Sequence, residues 1–353
     1  MHEKKHSAMP LQGVFNTLAQ NGTDCFVKPA IIISGNGSEL SNIKAMRGRA
    51  KRKLITQTMM LSLVSIAEKY GSHDRIKAYW NTYHCQSKLY TVNGRLHGKY
   101  CKNRFCTLCC CIRKAEIINK YFPVITTWEK PYFVTLTIKA RPLSNLNKFM
   151  KGMIQAFQKI YANLKKRNQR GRGKKIIGIK SLECNFNATR KTYNPHFHLI
   201  VPDEETANIF IAEWLKIWTS KYTTRAAQDK KPISNFETAL IEIVKYGSKI
   251  FTEPDLKKKG RGKCDPNIYV AALDNIFNAM QGLRIFERFG FNLPKGTKHK
   301  NSKSAIAKEY YEWIYDLRYS DWLNSENELT LTGYEPEPKL LNLLEKNIDI
   351  TLQ

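Results

Sequence analysis

Asn194-Pro195-His196-Phe197-His198 sets two imidazoles two residues apart in a run, His196 to Val201, that reads as a β-strand. A strand's period of two points both rings to one face and Phe197, Leu199 and Val201 to the other. Two imidazoles side by side make a bidentate metal site. The preceding run, Ile176 to Phe186, reads as the partner strand of a hairpin that turns around Asn187–Arg190. Cross-strand positions then sum to about 379, which sets Glu183 opposite His196. A carboxylate there completes a three-ligand site with positions left open for phosphate oxygens and water. A slip of one residue would turn Glu183 to the other face.

A second constellation lies downstream. Asn235 to Phe251 reads as a helix with Leu240, Val244 and Phe251 as its buried stripe, while Glu242, Tyr246 and Lys249 share a polar face at i, i+4 and i+7. The chain has 17 tyrosines, and any one of them is more often an amphipathic core edge than a nucleophile. Tyr246 differs in its neighbours. A phenol titrates near ~10, so attack at neutral pH needs a cation close by, which a metal, Lys245 or Lys249 could supply. Glu242, one turn back, could act as a general base for water.

A third group is made of cysteines. Cys101-x4-Cys106-x2-Cys109, with Cys85 upstream across a turn containing Gly94, has ligand spacing for a tetrahedral structural zinc. Reduced core cysteines are the competing reading, weakened by the adjacent Lys and Arg. Cys110 and Cys111 leave the fourth ligand open, and His84 or His97 could substitute. An occupied site would couple folding of this segment to metal by ~10 kcal/mol or more.

The composition says what these groups act on. The 353 residues carry 58 Lys+Arg against 30 Asp+Glu, a net charge of +28, and 42% hydrophobic residues, too apolar for a wholly disordered chain. No apolar run approaches the ~20 residues of a membrane span, and the start lacks the apolar core of a secretory signal. Nine cysteines, five of them between Cys101 and Cys111, do not resemble a disulfide framework. The expectation is a reduced, cytoplasmic protein with a polyanionic partner and no membrane association. Lys130 to Leu182 holds 14 Lys/Arg and no acid. Within it Lys165, Lys166, Arg167, Arg170, Arg172, Lys174 and Lys175 form a glycine-containing basic loop suited to a phosphate backbone. Smaller basic clusters lie at Lys44–Lys53, Lys257–Lys263 and Lys295–Lys303, and the stretch from Asp321 onward is acidic.

The elements that must position these residues alternate. Tyr132 to Ile138 reads as a strand, Leu146 to Leu164 as an amphipathic helix, and Glu204 to Tyr222 as another helix. A basic helix is expected from Asn42 to Tyr70. The order β-α-β-β-α-α implies an α+β fold, with a mostly antiparallel sheet and helices on one face. Four segments follow from composition: a basic N-terminal segment over 1–80, a zinc-binding module over 81–125, the domain bearing the histidines and Tyr246 over 126–295, and a helical, acidic tail over 296–353.

Taken in order, Phe133-Val-Thr-Leu-Thr137, Pro195-His-Phe-His198 and Glu242-Ile-Val-Lys-Tyr-Gly-Ser-Lys249 resemble the three motifs of HUH endonucleases. More narrowly, the chain resembles plasmid rolling-circle replication initiators of the Rep_1 type over roughly residues 84–295. Gly282-Leu-Arg284 and Phe289-Gly290 are similar to the stretch after the tyrosine in that family, and Cys85, Cys101, Cys106 and Cys109 match its cysteine pattern. Thr107 departs from it, standing where a proline usually follows the third cysteine. The resemblance implies an HUH-type catalytic domain behind a small zinc module. It also implies divalent-metal-dependent nicking and strand transfer in single-stranded or hairpin origin DNA, through a 5′-phosphotyrosyl link on Tyr246. Magnesium or manganese would sit on His196, His198 and Glu183, and structural zinc on the cysteines. Host helicase and polymerase in a bacterial cytoplasm would be the further partners. An HUH transposase or mobilisation relaxase would share this chemistry, and a non-enzymatic zinc-binding DNA regulator would use only the cysteines and the charge.

Overall fold

A computed structural model describes residues 29–33, 37–104, 106–244, 268–294, 304–346 and 348–349. In chain order these form β1 (Ile31–Ile33), β2 (Ser38–Glu39), α1 (Ile43–Lys69), α2 (His73–Tyr83), β3 (Lys88–Val92), β4 (Arg95–Gly98) and α3 (Thr107–Ile125). Next come β5 (Tyr132–Thr137), α4 (Leu143–Gln169), β6 (Gly178–Asn187), β7 (Thr192–Val201), α5 (Glu204–Ile217), β8 (Asp229–Pro232) and α6 (Phe236–Ile243). The remainder is β9 (Ile268–Tyr269), α7 (Val270–Met280), β10 (Phe286–Phe289), β11 (Ala305–Ala307), β12 (Tyr311–Asp316), β13 (Asp321–Asn324), α8 (Pro338–Lys346) and β14 (Ile348–Asp349). Short polar side chains open three helices by accepting an orphan N–H of the first turn. Asn42 caps α1 through the Ala45 N–H (2.9 Å), Asp203 caps α5 through Thr206 (2.7 Å), and Asn235 caps α6 through Thr238 (2.8 Å).

The central sheet has the strand order β10-β6-β7-β5-β8, antiparallel throughout. On one face Leu182, Phe197, Leu199, Val134 and Leu136 pack against α4, α5 and α7. The stripe of α4 is the expected one: Leu146, Met150, Met153, Phe157, Ile160 and Leu164 are buried, with Phe149 and Tyr161 at its edge. The other face is covered too. Ile179, Ile200 and Phe133 pack against Tyr121 and Ile125 of α3 and Ala239, Leu240 and Ile243 of α6. The expected helices on one face are therefore corrected to helices on both, because β5 to β7 carry apolar side chains on both faces and both need cover. The helix expected to reach Tyr222 stops at Ile217, where Trp218 turns extended and packs against Phe149 and, edge to face, Tyr222. Gly290 closes the sheet at β10: it has φ +75°, and a Cβ there would lie 1.9 Å from the Ile176 carbonyl oxygen.

A second five-stranded antiparallel sheet, β13-β12-β3-β4-β2, joins segments far apart in sequence. Its β3–β4 hairpin turns on Asn93 and Gly94, both with positive φ, the backbone of a two-residue hairpin turn. The tail over 296–353, expected to be helical, supplies β12 and β13, and among the described residues from 304 onward only α8 is helical. Trp313, Tyr315 and Trp322 explain the strand, since they pack a pleated sheet against Met46, Ala50 and Leu89. Asp321 is not a solvated acid: its buried carboxylate accepts from the Thr332 N–H and hydroxyl (3.0 and 2.9 Å).

Candidate active site and metal centres

The β6–β7 hairpin pairs Glu183 with His196 and Ser181 with His198, so the expected register holds. Glu183, His196 and His198 are 2%, 5% and 9% exposed, on the sheet face that α3 and α6 cover. Nε2 of His196 and Nε2 of His198 lie 3.7 and 3.6 Å from the same carboxylate oxygen, Oε2 of Glu183. That gap exceeds a good hydrogen bond, and two ligand bonds of ~2.1 Å meeting at an open angle would span it. One ligand atom from each residue falls within 4.8 Å of the others.

Neighbouring groups orient both rings. His196 Nδ1 is 3.0 Å from the Asn194 carbonyl, which can only accept, so Nδ1 carries the proton and Nε2 presents its lone pair to the site. His198 Nδ1 pairs with Thr135 Oγ1 at 3.2 Å, from the facing residue of β5. The Phe133 ring packs against His198 with centroids 5.0 Å apart. Such partners on the far ring nitrogen are a hallmark of metal-binding histidines. Burial pushes the Glu183 pKa up, but hydrogen bonds and charge from the two facing imidazoles, each able to carry a proton on Nε2 when no metal is bound, outweigh it and hold the carboxyl at about 2. The donor set therefore fits a divalent ion: one ionised carboxylate, two neutral-capable nitrogens and open positions. The sequence pointed to the three residues that the fold brings together here, but not to Thr135 or Asn194 as groups that orient them. The alternation that puts Thr135 on the histidine face was the available signal.

α6 crosses the same face through Ala239, Leu240 and Ile243, with Glu242 half-buried on it. Val244, expected in the buried stripe, is half-buried against that group and caps the helix at φ −104°, ψ 7°. The helical spacing that groups Glu242, Tyr246 and Lys249 is thus not carried past Ile243 by the described residues. Tyr246, Lys245, Lys249 and Phe251 lie outside them. Tyr193, another tyrosine near the histidines, is fully buried on the opposite sheet face, where its hydroxyl accepts from Asn275 at 2.9 Å.

The cysteine group closes as a set of four. Sγ atoms of Cys85, Cys101, Cys106 and Cys109 lie within 4.8 Å of one another, with Cys85–Cys109 at 3.7 Å and Cys101–Cys109 at 3.6 Å. Backbone N–H groups of Cys101, Asn103 and Cys109 point at the sulfurs of Cys85, Cys101 and Cys106 at 3.4 to 3.5 Å. Hydrogen bonds from Cys106 and its neighbours hold the Cys101 thiol well below its ordinary range. Four soft sulfurs in a tetrahedral-sized group fit zinc. The two histidines that could have substituted lie elsewhere: His84 is exposed, and His97 packs against Gly37. Cys110 donates to the Arg104 carbonyl, and Cys111 is exposed. Thr107, in place of proline, bonds Thr56 Oγ1 (2.7 Å) and the Arg52 carbonyl (3.1 Å), which ties the cluster to α1.

The basic loop is partly neutralised. Lys174 pairs with Asp203 and Glu205, each at 2.9 Å, and Arg167 with Glu213 at 3.2 Å. Lys165, Lys166, Arg170, Arg172 and Lys175 are exposed, at the end of α4 and in the loop before β6. No described helix is long and apolar enough to cross a membrane.

These features agree with what the chain is similar to. Protein rep of Staphylococcus aureus is 28% identical over 177 residues, 46% of this chain and 73% of that protein. Protein rep of Streptococcus pneumoniae serotype 2 is 29% identical over 171 residues, 45% of this chain and 51% of that protein. Protein rep of Bacillus amyloliquefaciens is 27% identical over 161 residues, 42% and 45% of the two chains. The chain thus spans about half the length of the last two. No solved structure matches it. The model of the replication protein family Rep_1 matches residues 94–308, a span that holds both histidines, Glu183, Tyr246 and three of the four clustered cysteines, and the chain belongs to that family.

Proposed function

We propose that the chain initiates plasmid rolling-circle replication by nicking origin DNA in the manner of an HUH endonuclease. The observation that carries this reading is the buried Glu183–His196–His198 group, on the sheet face crossed by α6, whose last residue stands three before Tyr246 in the sequence. Magnesium or manganese held by those three residues would draw charge from a non-bridging oxygen of the scissile phosphodiester and make its phosphorus more electrophilic. Asn194 and Thr135 keep both Nε2 atoms aimed at one point, so no ring rotation is needed when DNA arrives. Tyr246 supplies the nucleophile. Its phenol gives up a proton to solvent, its oxygen bonds to phosphorus, and the bond to the 3′ oxygen breaks. The products are a 5′-phosphotyrosyl ester and a 3′-hydroxyl that has taken a proton from water and can prime a polymerase. Bond energy kept in the ester lets strand transfer proceed without ATP, in keeping with the absence of a G-x4-G-K-[ST] motif in the sequence. Lys249 would favour the phenolate, and Glu242 would activate the water that ends the cycle once Tyr246 is esterified.

The test uses labelled single-stranded oligonucleotides tiled across the DNA that flanks the gene, incubated with protein and magnesium or manganese. Wild-type protein should yield a denaturant-resistant adduct and Tyr246→Phe none, with DNA affinity nearly intact because only a hydroxyl is lost. An adduct that persists in the variant moves the nucleophile elsewhere, and nicking by neither protein favours a zinc-binding regulator.

A further inference from the structure

A cavity of about 270 Å³ opens between α3, the histidine face of the central sheet, the end of α6 and β10. Arg104, Arg113, Lys114 and Arg284 line it, with Ser181 on its floor and Val244 at the end of α6. No acidic residue is among the described residues of its lining. Among the described residues Arg104 donates one hydrogen bond to the Leu283 carbonyl (2.7 Å) and Arg113 one to the Lys102 carbonyl (3.1 Å), which leaves most of each guanidinium's five donors for something else. Arg284 is highly exposed, and its contact with Glu287 is a loose 3.6 Å.

Ser181 is the second, independent sign of a ligand. It is 1% exposed, and its Oγ has no hydrogen-bond partner among the described residues. A buried hydroxyl loses its water on folding and ordinarily finds a replacement, so an orphan on a cavity floor marks a place for a polar ligand. Ser181 faces His198 across the hairpin and stands two residues before Glu183, on the same face of β6. At ~3.3 Å per residue Ser181 lies ~7 Å along the strand from Glu183, comparable to the step between neighbouring phosphates of an extended single strand.

We propose that this cavity seats a backbone phosphate of single-stranded DNA beside the one that is cut. Arg113 and Arg284 would clamp its oxygens, Ser181 would donate to one of them, and the apolar walls at Ile117 and Phe286 would take the adjoining sugar and base. The cysteine module then has a second role, because the cluster fixes the start of α3, and with it Arg104 and Arg113, as one wall of the strand path. The assignment of the neighbouring phosphate rests on the nicking reading above, whereas the phosphate seat itself does not.

The experiment is binding of fluorescein-labelled (dT)10 to the zinc-loaded full chain without added magnesium or manganese, across a salt series. Arg113→Gln with Arg284→Gln should weaken binding by about tenfold and lower the log–log salt slope by ~1.4, two contacts at ~0.7 each for a single strand. Ser181→Ala should weaken binding about threefold with the slope unchanged, because the hydroxyl is neutral. Zinc content and melting temperature show whether the double variant is folded, and if it is not, the single Ser181 variant decides. Unchanged affinity in folded variants overturns the proposal. So does displacement of (dT)10 by inorganic phosphate or thymidine monophosphate at equal phosphate concentration, which would make the cavity a small-anion site. A tyrosyl adduct together with normal (dT)10 binding by the variants would remove the cavity and keep the nicking; weakened binding without any adduct would do the reverse.

Discussion

The two groups of this chain that could hold a metal are built in opposite ways. The cysteine group draws on loops and the start of α3, uses four soft sulfurs, and leaves no ligand position over. The histidine group draws on paired strands, uses three harder donors, and aims both Nε2 atoms at one carboxylate oxygen. A closed set of thiolates holds structure; an open set on a rigid sheet, with its rings pinned from behind, can admit a phosphate oxygen. Their surroundings differ in the same sense. Behind the cysteines, the buried Lys53 ammonium bonds the Tyr83 and Cys85 carbonyls at 2.7 and 2.8 Å and so braces the backbone. Behind the histidines, Asn194 and Thr135 bond the rings themselves. Backbone groups brace the first site, through Lys53 and through the N–H groups that meet the sulfurs, and bonds to the far ring nitrogens brace the second.

The largest test of that contrast is to remove one sulfur. Cys109→Ser, or zinc stripped by a strong chelator, should abolish zinc stoichiometry and unfold the region around β3, β4 and α3. Structural zinc contributes ~10–16 kcal/mol in small zinc-binding peptides, as much as the whole stability of a domain. Metal analysis with circular dichroism melting checks this, and an unchanged melt would make the four cysteines ordinary core residues.

The matching test at the open site is His196→Ala with His198→Ala. Removing ring partners alone costs metal sites ~10–100-fold, so loss of both rings should reduce metal-dependent cleavage by more than that, with zinc content unchanged. Zinc lost along with cleavage would mean the two groups are one site. The variant also has a pH signature in metal-free protein. With the rings present the Glu183 carboxyl sits at about 2, so its contribution is in place above its ordinary value of 4.5 and is lost as pH falls toward 2. Without them burial remains and raises the pKa, which penalises the ionised form as pH climbs past 4.5. The melting deficit of the double variant should therefore be wider at pH ~7 than at pH ~4.

What could be read from the sequence follows the same division. The Cys101, Cys106 and Cys109 spacing is local, and so is the Glu183–His196 pairing, because a short turn and strict alternation leave a hairpin little choice of register. The stripe of α4 was legible for the same reason. The second sheet was not: β12 reaches β3 across more than two hundred residues, and nothing in Tyr311–Asp316 names its partner. The covering of both faces was hidden as well, since Ile179 and Ile200 read as strand residues whichever side they face. The end of α6 at Val244 breaks no sequence rule, as neither Gly nor Pro stands there. The basic wall of the cavity draws on residues some 170 positions apart and exists only in the fold.

Charge gives a smaller effect and sharpens the comparison between the two cationic regions. Neutralising Lys165, Lys166, Arg170, Arg172 and Lys175 should lower the salt slope of single-strand binding by ~0.7 for each residue that meets a phosphate. Neutralising Lys174 and Arg167 should leave the slope almost unchanged, because their charges already face Asp203, Glu205 and Glu213. These exposed pairs are worth only ~0.2–1 kcal/mol of stability. If all seven residues change the slope equally, the ion pairs open on DNA binding and the loop acts as one arm.

The smallest expected effect lies at Thr107, where the closed site meets its support. Thr107 begins α3 directly after Cys106, and its hydroxyl is buried between Thr56 Oγ1 and the Arg52 carbonyl of α1. Thr107→Val keeps the shape and removes the hydroxyl, so Thr56 and Arg52 each lose a buried partner. The cost should be ~1–3 kcal/mol, seen as a lower melting temperature at full zinc occupancy. Thr107→Pro suits the first position of a helix, where φ is already right and the N–H is an orphan. It should cost about the same, because the lost hydrogen bonds and not the backbone set the penalty. A proline variant as stable as wild type would show that the module holds its place by packing and zinc alone, and that its tie to α1 is incidental. A loss confined to Thr107→Val and Thr107→Pro, with zinc bound and metal-dependent cleavage intact, would show the opposite. The closed group would then be anchored by the chain around it, independently of the open site on the sheet.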